Sequence, residues 1–268
     1  LCYSNRFYYK NLSDEDALAI KNDLLLYNSM LHTAYKKVYL SCFHGVKESL
    51  SLQKQLKAKY KTNDYFPLSA INEARGLLKS NIETNKRLKK SCKKRMNKIQ
   101  DKISKEQKTL TAYQQKKQAL IQKSKAYETT EADYLFEVQV VDPCIKQIKN
   151  KISMLTFRLH REQFKLKGLE HVRAACFGSR KRLKADVEAY RYERRKRMLI
   201  PGRRQGKYSN NIFKYHVDEG CMVYRGTEKE IRLPITFHHN KEQLERAVRL
   251  PHNTAGKAVA YELYDHGE

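Results

Sequence analysis

Apolar residues recur along this chain in two rhythms, and each predicts a different architecture. The helical rhythm comes first. Ala17, Ile20, Leu24, Tyr27, Leu31, Ala34 and Val38 return at three- and four-residue spacing, which predicts one helix running to about Cys42 and punctuated by Gly45. Ser13 is placed to cap it, with Asp16 three residues on in the capping-box position and Asp14, Glu15 and Asp16 at the positive end of the dipole. A second helix, weaker in apolar content, is expected from Lys47 to Tyr60. A third should open near Pro67, whose missing amide is not needed there, and bury Leu68, Ile71, Ala74 and Leu78.

Two longer segments carry the same rhythm further. Ile145, Ile148, Ile152, Leu155 and Leu159 put one apolar seam along residues 142–167. Leu88, Cys92, Met96, Ile99 and Ile103 offer a matching seam, which loses its spacing before Leu110, Tyr113 and Leu120. No Gly or Pro interrupts 85–126. The expectation is a long antiparallel helical hairpin over 86–167, joined through residues 127–142. The joining segment fits helix or strand: Tyr134, Phe136, Val138 and Val140 alternate, while Thr130 resembles a cap. Asp142 and Pro143 could cap and open the second arm.

The second rhythm has period two. Arg6–Lys10 is a short aromatic stretch that reads as a strand, and alternation resumes from Asn211. Phe213, Tyr215 and Val217, then Cys221–Tyr224, then Ile231, Leu233, Ile235 and Phe237 are separated by turns at Asp218–Gly220 and Arg225–Lys229. Pro234 marks an edge or a bulge. A short helix from Asn240 to Val248 and a last strand near Leu263 and Tyr264 follow. The predicted fold is α+β: a clipped first barrel strand at 1–10, a helical lobe at 11–168 including the hairpin, and a small antiparallel β-barrel at 169–268.

Charge changes this picture most. The 268 residues carry a formal net charge of +26. Residues 86–126 hold 15 Lys plus Arg against 2 acids, and residues 165–207 hold 15 against 4, whereas 127–164 and 208–268 each sum to −1. Cations concentrated in two blocks imply a binding surface for anions, and nucleic acid is the partner expected. No apolar run reaches the length of a membrane span. Leu1 in place of Met, and an end at Glu268 after Gly267, fit a piece of a longer protein.

Candidate contacts follow from the pattern. Ser69, Asn72, Arg75 and Lys79 share one stripe of the third helix, where amide and guanidinium groups could read base edges or phosphates. An ordinary wet helix face reads the same way. Lys89 and Lys93 stand for the lysine wall of the hairpin. Phe177-Gly178-Ser179 followed by Arg180, Lys181 and Arg182 combines a turn with three cations. Tyr190–Arg197 interleaves aromatic rings with Arg194, Arg195 and their neighbours, a chemistry suited to single strands or folded RNA. Arg203, Arg204, Lys207 and Asn210 line a second basic loop. The six cysteines are scattered, His238 and His239 would face opposite sides of a strand, and no phosphate loop, HExxH or GxSxG is present. No catalytic residue and no metal ligand is assigned.

Three short pieces then resemble the N-terminal half of the transposon-encoded TnpB family and the compact type V CRISPR nucleases. They are Tyr65-Phe66-Pro67-Leu68-Ser69-Ala70-Ile71-Asn72-Glu73-Ala74, Phe177-Gly178-Ser179-Arg180-Lys181, and Gly206-Lys207-Tyr208-Ser209-Asn210-Asn211-Ile212-Phe213. The resemblance implies a helical recognition lobe and a wedge barrel of the OB-like kind. It implies guide RNA and target double-stranded DNA as partners, recognised beside a short adjacent motif, with Ser69, Asn72, Arg75 and Lys79 approaching the motif duplex. It implies a RuvC-like, Mg2+-dependent nuclease domain in the parent protein, beyond this segment, and a cytoplasmic setting in a bacterial or archaeal cell. The long lysine hairpin is larger than in compact family members. A ribosome-associated or other structured-RNA module with no DNA step remains the alternative.

Overall fold

A computed structural model describes residues 7–46, 51–126, 128–174, 177, 184–196, 199–202, 204–205, 208–210, 212–235, 241–249 and 261–264. The chain divides into two compact units, residues 1–80 with 174–268, and residues 81–173.

In the first unit a 3-10 turn at Tyr9–Asn11 precedes helix α1, Asp14–His44. The expected strand at residues 6–10 is therefore not formed at Tyr9 and Lys10, and residues 1–6 lie outside the described residues. Ser13 Oγ accepts from the Asp16 amide at 3.1 Å, and Gly45 ends the helix at φ 63°, a conformation that favours glycine. Helix α2, Leu52–Tyr60, is capped by Ser51. Asn63 Oδ1 accepts from the amides of Tyr65 and Phe66 and starts α3, Tyr65–Lys125. Ile20, Leu24, Tyr27, Met30 and Ala34 of α1 bury together with Leu56, Phe66, Ala70, Ile71 and Ala74. The Tyr27 and Phe66 rings meet edge to face, 6.1 Å apart.

Among the described residues the unit continues with α6, Val187–Lys196, short strands, and α7, Lys241–Arg249. The strands do not close into the expected barrel. Strand β1, Leu199–Gly202, pairs with β7, Tyr261–Tyr264; β2, Arg204–Gln205, pairs with β3, Tyr208–Asn210; and β4, Phe213–His216, β5, Cys221–Arg225, and β6, Glu230–Leu233, form a three-stranded antiparallel sheet. The registers Phe213↔Tyr224↔Ile231 and Tyr215↔Met222↔Leu233 put six buried side chains on one face. Helices meet that face. Tyr224 donates to Asp23 of α1 at 2.9 Å, and Tyr215 donates to Glu245 of α7 at 3.4 Å. A sheet whose apolar face is met by helices has no need to curl round on itself. Strand β6 stops before Pro234, which has no amide to offer a further strand.

The second unit is the hairpin. Helix α3 is one 61-residue helix, so the helix expected near Pro67 and the basic stretch at 85–126 are the same element. The joining segment is helical: α4, Glu131–Phe136, opens with a capping box between Thr130 and Asp133 and passes through a π-helical turn, Glu137–Val141, into α5, Asp142–Gly168. Asp142 has helical φ and ψ and does not act as a cap. Pro143 cannot supply a helical amide, and the wider turn lies just ahead of it.

Candidate nucleic-acid interface

The hairpin seam extends further than its apolar residues show. On α3 the covered positions are Asn85, Lys89, Cys92, Met96, Ile99, Ile103, Glu106, Leu110, Tyr113, Lys117 and Leu120, an unbroken alternation of four and three. On α5 and the turn before it the matching run is Val141, Ile145, Ile148, Ile152, Leu155, Leu159, Glu162 and Leu166, with Glu137, Asp142, Cys144 and Thr156 also partly covered beside it. The apparent loss of rhythm on α3 is a substitution of polar residues into the same heptad. Leu88, expected in the seam, is 49% exposed, and Lys89 stands there instead, its Nζ donating to the Glu170 carbonyl at 3.1 Å.

The seam residues Glu106, Lys117 and Glu162 are paired. Arg95 Nε meets Glu162 at 2.9 Å, Lys151 meets Glu106 at 2.5 Å, and Lys117 meets Asp142 at 2.6 Å and Glu137 at 3.5 Å. Moving eleven residues forward on α3, from Arg95 to Glu106, moves eleven back on α5, from Glu162 to Lys151, so the arms are antiparallel. Glu162 is the most loaded of these groups. Lys165 pairs with it, Arg95 donates to it, and the Cys92 thiol donates to its side chain at 3.4 Å and to its carbonyl at 3.2 Å. The hydrogen bond from Lys165 leads in holding its carboxyl down to about 2, against burial, with Arg95 and Cys92 assisting. Burial, with Glu162 beside it, pushes the Cys92 thiol up. Lys117 is raised chiefly by its bond to Asp142.

This arrangement sorts charge. Within the hairpin arms, Glu106 and Glu162 point into the seam and Asp142 is taken by Lys117. Outside the seam, Lys86, Lys90, Lys93, Lys94, Lys98 and Lys102 of α3 are exposed, as are Lys146, Lys149, Arg158, Arg161, Lys165 and Lys167 of α5. Asp101 is the exposed acid of the arms. An exterior in which cations so outnumber acids suits counterion-releasing contact with phosphate. In the sequence the α5 cations are hidden by the five acids of residues 128–142, which bring the block 127–164 to a net charge of −1.

The predicted contacts divide accordingly. Lys93 is exposed, whereas Lys89 is half-buried and engaged by Glu170. In the first unit Asn72, Arg75 and Lys79 are exposed on α3, but Ser69 is buried and shares a hydrogen bond of 3.1 Å with the Tyr27 hydroxyl. Ser69 belongs to the α1 packing, and the stripe is three residues. Arg194, on α6, is exposed; its Nε donates to His32 Nδ1 at 3.2 Å, and its carbonyl accepts from Asn28. Phe177 lies against the same histidine, with ring centroids 4.2 Å apart, and against Tyr35. His32 of α1 thus gathers one member of each of two basic stretches that the sequence separates. Arg204 and Asn210 face each other in the β2–β3 register. Arg195 is helical, and the side chains of Arg195, Arg204 and Asn210 lie outside the described residues, as do Arg180, Lys181, Arg182, Arg203 and Lys207 altogether.

Among the described residues no group of three or more His, Cys, Asp or Glu could hold a metal ion, and no helix is long and apolar enough to cross a membrane. Comparison with known protein families, with curated proteins and with solved structures finds no match.

Proposed function

We propose that this chain holds a structured RNA, with the hairpin as its main electrostatic contact. The observation that carries the reading is the sorting of charge: Glu106, Glu162 and Asp142 are taken up at the seam, and the exposed faces of the arms, residues 86–126 and 142–167, carry many cations against one exposed acid, Asp101. Binding of this kind is dominated by phosphate and falls steeply with salt, by a slope of about 0.7 to 0.9 per phosphate neutralised. On the resemblance to the TnpB family, the RNA is a guide. The chain is then the non-catalytic part of an effector that recognises double-stranded DNA beside a short adjacent motif, with base pairing reading the target. Exposure of Asn72, Arg75 and Lys79 supports that use of α3.

The unclosed strands favour a second reading. The three small sheets among the described residues, in place of a wedge barrel, suit a general structured-RNA module with no DNA step. RNA co-purified from cells carrying the gene with its native flanking DNA separates the two. One abundant RNA with defined ends, copied from beside the gene, supports the guide, and programmed DNA binding should then follow. A mixture of ribosomal and transfer RNA supports the general module. A protein free of RNA that shows no salt-dependent affinity for any RNA refutes both.

A further inference from the structure

Helix α5 has a second stripe that the hairpin does not use. Gln147, Asn150, Met154, Phe157, Arg161 and Phe164 alternate three and four along it, and all are exposed. The apolar members are unusually open: Met154 is 60% exposed, Phe157 65% and Phe164 79%. Large rings are seldom left so far in water without a partner. The cations Arg158, Arg161 and Lys165 lie in or beside the stripe; Lys165 is paired with Glu162, which is buried in the seam, and no acid is exposed on the stripe.

From this pattern we infer that the outer face of α5 is a stacking platform for unpaired bases of the bound RNA. The inference rests on the reading of the hairpin as an RNA-binding surface and specifies which part of the RNA it takes. Seven residues of helix separate the two phenylalanines by about 10 Å, roughly three stacked-base steps. Arg161 stands between the rings, where its planar guanidinium can stack on a base or hold the phosphate linking two of them. Charge decides against two other occupants. A second copy of this chain would bring Arg158 and Arg161 face to face with their own copies, and Lys165 already has its acid in Glu162. A lipid surface would draw Phe157 and Phe164 inward and carry Arg161, midway between them, into the acyl region. A single strand supplies both π faces and anions.

The test uses the full chain, stripped of RNA, with labelled oligouridine of about 20 nucleotides, an RNA duplex of similar length, and vesicles containing phosphatidylserine. Replacing both rings, Phe157→Ala with Phe164→Ala, should weaken oligouridine binding by about 30-fold or more with no change in salt slope, because stacking is lost and phosphate contacts are kept. Duplex affinity should stay within about twofold. The pair Phe157→Trp and Phe164→Trp should retain oligouridine binding, whereas Phe157→Leu and Phe164→Leu should lose it as the alanines do. Leucines that restore binding would overturn the inference, since apolar contact alone would then suffice. So would equal losses for duplex and single strand, or a loss confined to vesicles. If the unmodified chain binds both RNAs with salt dependence and the alanine pair matches it, this inference alone fails. If the unmodified chain binds neither, the reading beneath it fails as well.

Discussion

The two units solve the problem of buried polar groups in opposite ways. In the first, an acid serves as an internal anchor. Asp23 of α1 accepts from the Tyr224 hydroxyl at 2.9 Å, the Thr227 amide at 3.1 Å and the Thr227 hydroxyl, and so ties the β5–β6 turn to a helix 201 residues away. Burial, with Asp23 beside it, pushes the Tyr224 hydroxyl up, keeping it a donor. A Cβ at Gly226 would stand 2.6 Å from an Asp23 oxygen, so glycine is needed there for the close approach. Around this anchor lies a broad apolar core. In the hairpin, by contrast, only Cys92, Val141, Leu155 and Glu162 are buried among the described residues, and charge pairs run along the seam. Polar groups in the first unit secure a core that apolar burial already provides. In the hairpin they take part in the seam itself, and the price is sensitivity to pH and salt.

Four perturbations sharpen or break that contrast. The largest effect is expected on binding. Replacing Lys93, Lys94, Lys98 and Lys102 by Ala removes four outward cations, so the salt slope of RNA affinity should fall by about three and affinity near physiological salt by about 100-fold or more. Helicity should be unchanged. An unaltered slope would show that the RNA lies elsewhere.

Next comes Asp23→Ala, which strands the Tyr224 and Thr227 donors and should cost about 3 kcal/mol. Hydrogen exchange should report the loss in the β4–β6 sheet and α1 and leave hairpin amides untouched. Uniform loss of protection would mean that the two units unfold together.

Glu162→Gln should cost about 1 kcal/mol at neutral pH, because its cationic partners are largely solvated. The pH dependence is the sharper readout. The folded carboxyl sits at about 2, below its ordinary 4.5. Its contribution is therefore full above about 4.5 and lost as pH falls through about 2. Hairpin melting followed by circular dichroism should decline over that window in the native chain and decline less in the variant. Parallel curves would remove Glu162 from the account.

The smallest effect separates two registers. Leu88→Lys should change stability by less than about 0.5 kcal/mol, because the side chain is half in water. A cost of about 2 kcal/mol or more in urea melts would restore Leu88 to the seam in place of Lys89.

What was legible in the sequence was local. The α5 seam, the α1 rhythm, the caps at Ser13 and Thr130, and the strands around Phe213, Tyr224 and Ile231 all announce themselves within a few residues. The failures share one cause. Glu106 and Lys117 look like breaks in the α3 rhythm because their partners, Lys151 and Asp142, are on the other arm. Ser69 looks like part of a wet face because Tyr27, which covers it, is 42 residues earlier. The strands alternate as those of a barrel do, but strand pattern cannot say whether a helix or another strand meets the apolar face. The excess of cations was visible in composition. Its assignment to the outside of the hairpin required knowing where the acids point.

The paired seam also makes the hairpin a ruler. Its repeat is seven residues on both arms, and the Arg95–Glu162 and Lys151–Glu106 pairs each bridge the arms, eleven residues apart along them. Excising residues 96–102 together with 152–158 would remove one repeat from each arm and bring those pairs closer in unchanged register. Excising either segment alone would leave every pair beyond the cut facing the wrong neighbour. Reach is therefore adjustable in matched steps of about 10 Å, a graduated dimension that selection or an engineer could lengthen or shorten without redesigning the contact.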